Sequence, residues 1–375
     1  MSSALYLDWN ATAKVRPEAV EAATRAMQTV GNPSSIHAAG RAARATVEGA
    51  REAVAALVGV KAGSITFLSG GTEASNLAIE SAVLAGCDRI LVGATEHEAV
   101  AESAKFSGLA VETCQVDAEG LADLDWLARA LKAGGKPLVC LMLANNETGV
   151  IHPVAEAAAL VREVGGWLHV DAVQAAGKIA VDFNALGADT MALSAHKLGG
   201  PQGIGALAAG PRATLSRRMQ GGGQERGRRS GTENVPGIAG FGAAAQASLA
   251  GLETLAAQAA WRDAAAERLA NKARVLGAGA PRLPQTLCLA SPDFPSDIQV
   301  MNLDLAGVMI SAGAACSSGK VKASHVAEAM GHDDLAPYVI RVSGGWETTE
   351  QDWRRFGDVW LEAQARHVAR RQKVA

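Results

Sequence analysis

Hydrophobic residues in this chain fall into short, mostly apolar runs separated by longer stretches with helical periodicity. The runs are Ile65–Leu68, Ile90–Val92, Leu138–Leu143, Trp167–Val170, Thr190–Ser194 and Ile204–Leu207. They lack the strict alternation of a strand with one wet face, and this is how strands covered on both sides read. Ala39, Ala43, Val47, Ala50, Val54 and Leu57 recur at helical spacing, and Gly59 sits where a C-cap belongs. Ser69-Gly-Gly-Thr-Glu73 turns from one run into a helix through Leu84. The alternation predicts an α/β fold with a mostly parallel sheet flanked by helices.

The ends of the chain read differently. Tyr6–Ala13 is a short extended segment, Pro17 opens a helix, and Gly31–His37 is a turn cluster. Leu252, Leu255, Ala259, Ala266 and Leu269 fit one face of a long helix, within which a boundary between two domains is expected. Beyond it lie Pro281, Pro284, Pro292 and Pro295, the small-residue run Ser311–Gly319, the segment Tyr338–Gly345 and an amphipathic C-terminal helix. The expected division is a large domain over 14–253, with 1–13 and 254–375 forming a smaller α+β domain.

Five apolar runs end in polar residues with no packing role of their own. These are Gly71-Thr72, His97, Asn146, Asp171 with Gln174, and Ser194 with His196-Lys197. In an open α/β sheet the ligand lies beyond the carboxyl ends of the strands, so parallel neighbours would bring all five clusters to one cleft. A lysine at a buried strand end keeps its charge at a cost, but it is well chosen if its amine forms a Schiff base. Lys197 and Asp171 at neighbouring strand ends suit the aldehyde carbon and ring nitrogen of pyridoxal phosphate.

Composition narrows the class. The 375 residues are 49% hydrophobic and 19% charged with 41 glycines, which fits an α/β enzyme. A net charge of −3 gives no general attraction to nucleic acid or an anionic membrane. No apolar run approaches the roughly eighteen residues that span a bilayer. The N-terminal stretch lacks a basic region followed by an apolar one, so no secretion signal is expected. Five cysteines without a CxxC pair argue against a disulfide framework and a zinc site, and point to a reducing cytoplasm. Cys140 and Cys288 lie in apolar runs and read as small buried hydrophobes. Cys316 is surrounded by Ala, Gly and Ser, has little to bury, and is expected to ride an exposed, mobile loop as a nucleophile.

The series YLDWNATA, GNPSSIH, SGGTEASN, TEHEAV, NNETGV, VDAVQAAGK, SAHKLGGPQGIGAL, GGGQERGRRSGTENVPG and GAACSSG occurs in that order. Over residues 5 to about 350 the chain resembles the cysteine desulfurases of the NifS/IscS type, pyridoxal-phosphate enzymes of the class V aminotransferase superfamily. The resemblance implies the type I fold of pyridoxal-phosphate transferases. It implies that Lys197 anchors the cofactor and moves the α-proton of L-cysteine, and that Asp171 pairs with the ring nitrogen. Gln174 would donate to the phenolic oxygen. Gly71 and Thr72, together with Ser194 and His196, would hold the phosphate, and Thr232 would reach it from the other subunit of a homodimer.

By the same resemblance His97 would lie over the ring and move protons, Asn146 would touch cofactor or substrate, and Arg341 would bind the substrate carboxylate. Cys316 would take the sulfur as a persulfide, releasing L-alanine, and pass it to an acceptor such as an iron–sulfur scaffold protein. Rivals are a selenocysteine lyase or aminotransferase on the same fold, and a catalytically silent assembly scaffold. Trp9, Lys320, Lys322 and Trp346 depart from the family pattern, and the last three leave the acceptor open.

Overall fold

The sheet expected from the apolar runs is present in the computed structural model, which describes residues 4–313 and 323–374. In chain order its strands are β1 (Ile65–Leu68), β2 (Arg89–Gly93), β3 (Ala110–Cys114), β4 (Pro137–Cys140), β5 (Trp167–Asp171), β6 (Thr190–Ser194) and β7 (Gly205–Ala209). They stand side by side as β1-β7-β6-β5-β4-β2-β3. Only β7 runs against its neighbours, β1 and β6; the other ladders are parallel. β1 therefore points the same way as β6, and the ends of β1, β2, β4, β5 and β6 share one edge.

Along β4, Leu138 and Cys140 join one hydrophobic cluster while Val139 joins another, as alternating side chains must when both faces are covered. One cluster holds Val47 and Val54 of helix Ala38–Leu57, Phe241 of helix Val235–Ala250, and Val161 of helix Val154–Glu163. On the opposite face Ile79 of helix Gly71–Leu84 and Val100 of helix Glu98–Lys105 cover Ile90 and Val92. β3, the edge strand, gives no apolar run because Ala110–Thr113 are exposed and only Cys114 is buried.

A second, antiparallel sheet follows, in the order Ser311–Ala312, Val339–Ser343, Thr286–Ala290 and Arg274–Val275. Trp353, Phe356 and Trp360 of the C-terminal helix Glu350–Val374 are fully buried and pack with Phe294, Leu287 and Val342. Leu5–Tyr6 pairs with Val308–Met309 in a separate parallel two-stranded ladder, and a bridge between Asp8 and Ser343 ties the start of the chain to the second sheet. It then crosses to the first, where the Ala13 N–H donates to the His196 carbonyl at 2.8 Å.

The single long helix expected over Leu252–Leu269 is broken. Leu252–Ala256 and Gln258–Leu269 meet at Ala257, and together they bend by 62° from Val235–Ala250. At the break the buried Gln258 side chain donates to the Gly345 carbonyl and accepts from Trp353, tertiary bonds that apolar periodicity does not reveal. Among the described residues no single helix is long and apolar enough to cross a membrane.

Candidate active site

After β1 the chain turns straight into helix Gly71–Leu84. A Cβ on Gly71 would lie 2.8 Å from Cγ2 of Val173 and 3.7 Å from Cβ of Ser194. A Cβ on Gly205 would lie 2.6 Å from the Gly70 Cα. The bare backbone of this turn is thus pressed against the ends of β5, β6 and β7. The first N–H groups of the helix have no intrahelical partners and carry the positive end of its dipole, so this turn suits an anion.

Asp171, at the end of β5, is 8% exposed. Its Oδ1 accepts from the Val173 N–H at 2.9 Å. Burial pushes its carboxyl above the ordinary aspartate range, opposed by that N–H and by the neighbouring charges of His97 and Lys197. His97 caps the helix that follows β2: its Nδ1 accepts from the Ala99 N–H at 3.0 Å, which leaves Nε2 as the nitrogen free to act elsewhere. Glu96, which the sequence reading passed over, is 4% exposed. The Met142 N–H donates to its Oε1, and its Oε2 is buried without a partner. Burial, and then the charge of Asp171, hold the Glu96 carboxyl well above the glutamate range. Both causes favour the protonated form of the Glu96 carboxyl.

Lys197 leaves β6 through a short 3-10 turn and directs its Nζ to the Asn10 and Ala11 carbonyls at 2.7 and 2.8 Å. Asn10 is 1% exposed and joins the two sheets. Its N–H donates to Ser343 Oγ at 2.9 Å, and its Nδ2 donates to Thr286 Oγ1 at 3.0 Å and the Asn146 carbonyl at 3.2 Å. Gln174 Nε2 donates to the Asn10 carbonyl at 2.9 Å. Neither Asn10 nor Lys178 behind it was found from sequence; the only signal was a polar residue lodged in an otherwise short, extended N-terminal segment. His196 Nδ1 lies 3.2 Å from Thr12 Oγ1, and burial followed by the Lys197 and Lys178 charges pushes its pKa down to about 4, so its ring is neutral.

Arg341 reaches this centre from the second sheet. It is 3% exposed, with Nη1 on the Asn146 carbonyl at 3.2 Å and Nη2 on Asp8 at 2.7 Å. Its Nε and the Oδ1 of Asn146 are buried without partners. The sequence reading missed Asp8, whose carboxylate sets the plane of the guanidinium.

Most of the expected residues therefore meet where the two sheets join: Gly71 and Ser194 at the helix turn, Asp171 with His97 and Lys197, and Gln174, Asn146 and Arg341 around Asn10. Thr232 does not join them in this chain. It is exposed and lines another cavity with Ser69, Gly203 and Arg229. Cys316, Lys320 and Lys322 lie outside the described residues. Cys87, Cys114, Cys140 and Cys288 are buried free thiols, and burial raises each of them, so none is poised as a thiolate.

This donor set fits a phosphorylated pyridine aldehyde. Gly71 leaves room at a helix N-terminus for the phosphate, a carboxylate stands ready for a protonated ring nitrogen, and a lysine amine lies beside it. The orphaned Asn146 Oδ1 and Arg341 Nε give a bound molecule two further partners.

Comparison with known proteins gives the same class. The family model for class-V aminotransferases matches residues 5–356, and the chain belongs to that family. A cysteine desulfurase from Cereibacter sphaeroides is 42% identical over 87% of this chain and 86% of its own length. The cysteine desulfurase IscS of Dictyoglomus turgidum is 36% identical over 96% of this chain and 94% of its own. A solved NifS-like protein from Rickettsia africae superposes with a TM-score of 0.89 at 31% identity, covering 96% of this chain and 99% of the other. Within the family, the chain belongs with the cysteine desulfurases of the NifS/IscS type.

Proposed function

We propose that this chain is a cysteine desulfurase that takes sulfur from L-cysteine, releases L-alanine and carries the sulfur as a persulfide on Cys316. The observation that carries the reading is the Lys197 amine, held on two backbone carbonyls next to the Asp171 carboxylate at the carboxyl edge of a mostly parallel sheet. We take 14–253 as the cofactor-binding domain and 1–13 with 254–375 as the smaller domain; the site lies at their junction through Asn10.

Pyridoxal phosphate, when bound, supplies an electron sink for charge that develops at the substrate Cα. Gly71 and Thr72 hold the phosphate with backbone N–H groups, and Ser194 and His196 add side-chain bonds. Asp171 holds the proton of the ring nitrogen, and Gln174 Nε2 donates to the phenolic oxygen. Arg341, its plane set by Asp8, binds the substrate carboxylate, and Asn146 lies beside it. Lys197 would hold the cofactor through its amine and would move the substrate's α-proton. His97 Nε2 takes or returns the thiol proton. The Cys316 thiolate attacks the substrate sulfur, a sulfur–sulfur bond forms, and the Cβ–sulfur bond breaks with its electron pair left on carbon. One proton delivered to Cβ and one returned to Cα complete L-alanine.

We place Thr232 at the phosphate of a second copy in a homodimer. Thr232 borders one surface hollow with Met27, Pro33 and Val235, and Met27, Val30 and Ile36 are exposed nearby. The sulfur passes to an acceptor protein, such as an iron–sulfur scaffold, in the cytoplasm, a compartment that suits the buried free thiols.

The test is to incubate the pyridoxal-phosphate-loaded protein with L-cysteine and measure its intact mass. One added sulfur atom on Cys316, absent from Cys316→Ser, supports the reading. Amino-group transfer that survives Cys316→Ser would make it an aminotransferase, and selenide release from L-selenocysteine without sulfur added to Cys316 from L-cysteine would make it a selenocysteine lyase. A wild-type protein that binds no cofactor refutes an enzymatic role.

A further inference from the structure

Lys178 occupies a place where lysine is rare: it is 6% exposed, behind the catalytic cleft. Its Nζ donates to Asn10 Oδ1 at 2.9 Å and to Gln174 Oε1 at 2.5 Å. A methionine would fill the same space, so the amine is there for its hydrogen bonds. A lysine flanked by two carboxamides selects their oxygens, which decides where each NH2 group points. With Oε1 turned to Lys178, Gln174 presents Nε2 to the Asn10 carbonyl. With Oδ1 taken in the same way, Asn10 turns Nδ2 to Thr286 and the Asn146 carbonyl. The Asn10 carbonyl is also the seat of the Lys197 amine, and Lys178 and Lys197 line one cavity.

The charged and titratable groups that face Lys178 are Lys197, Arg341 and His196. Burial and the charges of Lys197 and Arg341 push the Lys178 amine well below the ordinary lysine range.

We propose that Lys178 is a positioning residue of the desulfurase site: it orients the carboxamides of Gln174 and Asn10, and through Asn10 it sets the resting place of the Lys197 amine. The proposal rests on the functional reading above.

The test follows the visible absorbance of bound pyridoxal phosphate against pH in wild type, Lys178→Met, Gln174→Ala and the double variant. Loss of an oriented donor next to the cofactor is expected to move the absorbance midpoint by about one pH unit in Lys178→Met. Because Lys178 acts partly through Gln174 and partly through Asn10, the double variant is expected to shift by less than the sum of the two single variants. A Lys178→Met midpoint equal to wild type overturns the proposal, and so does a shift that adds in full to that of Gln174→Ala. If Lys178→Met does not fold, Lys178→Gln carries the same comparison under the same two outcomes. A wild type that shows no cofactor absorbance refutes the functional reading itself. A loaded wild type beside an unresponsive variant refutes only the role of Lys178.

Discussion

Replacing Glu225 with Ala is expected to destabilise this protein far beyond an ordinary loop substitution. Glu225 and Arg226 have φ of 47° and 59°, left-handed backbone at two successive residues that are not glycine. Such conformations cost on the order of 1–3 kcal/mol each and persist only where neighbours enforce them. Here the enforcement is a buried fork. Arg51 donates to both Glu225 oxygens at 2.7 and 2.8 Å, and the Phe67 N–H donates to one of them at 2.8 Å. Arg51 also lies 4.8 Å from the centre of the Phe67 ring.

Breaking a buried ion pair from one side costs about 3–5 kcal/mol. Glu48, at 3.3 Å from Arg51 and 34% exposed, remains as a partial partner, and the released turn recovers some strain, so the low end, about 3 kcal/mol, is expected. Urea unfolding measures it. Arg51→Met with Glu225→Leu leaves no buried charge and is expected to recover most of the loss. The turn leads to Thr232, so, on the homodimer proposed above, Glu225→Ala is also expected to weaken pyridoxal phosphate binding. A cost below about 1 kcal/mol, or no recovery in the double variant, would refute this reasoning.

Other expectations concern the site itself. The folded protein holds the Glu96 proton above the ordinary glutamate range, so it binds more protons than the unfolded chain there, and the stability from this group falls as pH rises through and above that range. Glu96→Gln has no such proton, and its urea midpoint is expected to gain on wild type as pH rises above the ordinary glutamate range, by at most about 1.4 kcal/mol per pH unit; a constant gap would count against a protonated Glu96. Gly71→Ala places a Cβ 2.8 Å from Val173 Cγ2, and is expected to cost about 1–3 kcal/mol and weaken phosphate binding, with Val173→Ala restoring part of both. Calorimetry with pyridoxal phosphate checks it, and no rescue would mean that the clash is not with Val173. Arg341→Lys loses the fork shared between Asp8 and the Asn146 carbonyl, and steady-state kinetics should show KM for L-cysteine rising about tenfold or more.

The sequence by itself determined the fold class, the buried strands and the polar residues at their ends. Runs such as Leu138–Cys140 and Thr190–Ser194 are local patterns, and a strand covered on both faces needs no other part of the chain to be recognised. Lys197, Asp171 and Gly71 were legible for the same reason: a lysine or aspartate ending an apolar run has no packing role. Only the tertiary structure decided what those residues touch. It reversed β7, broke the helix at Ala257, and brought Asn10 and Asp8 from the N-terminus against Lys197 and Arg341. It also seated Lys178 and Glu96 in the interior, where burial shifts both amine and carboxyl. Periodicity reports which face of an element is apolar. Hydrogen bonds between residues more than a hundred positions apart, and the proton equilibria they set, exist only once the chain has closed around them.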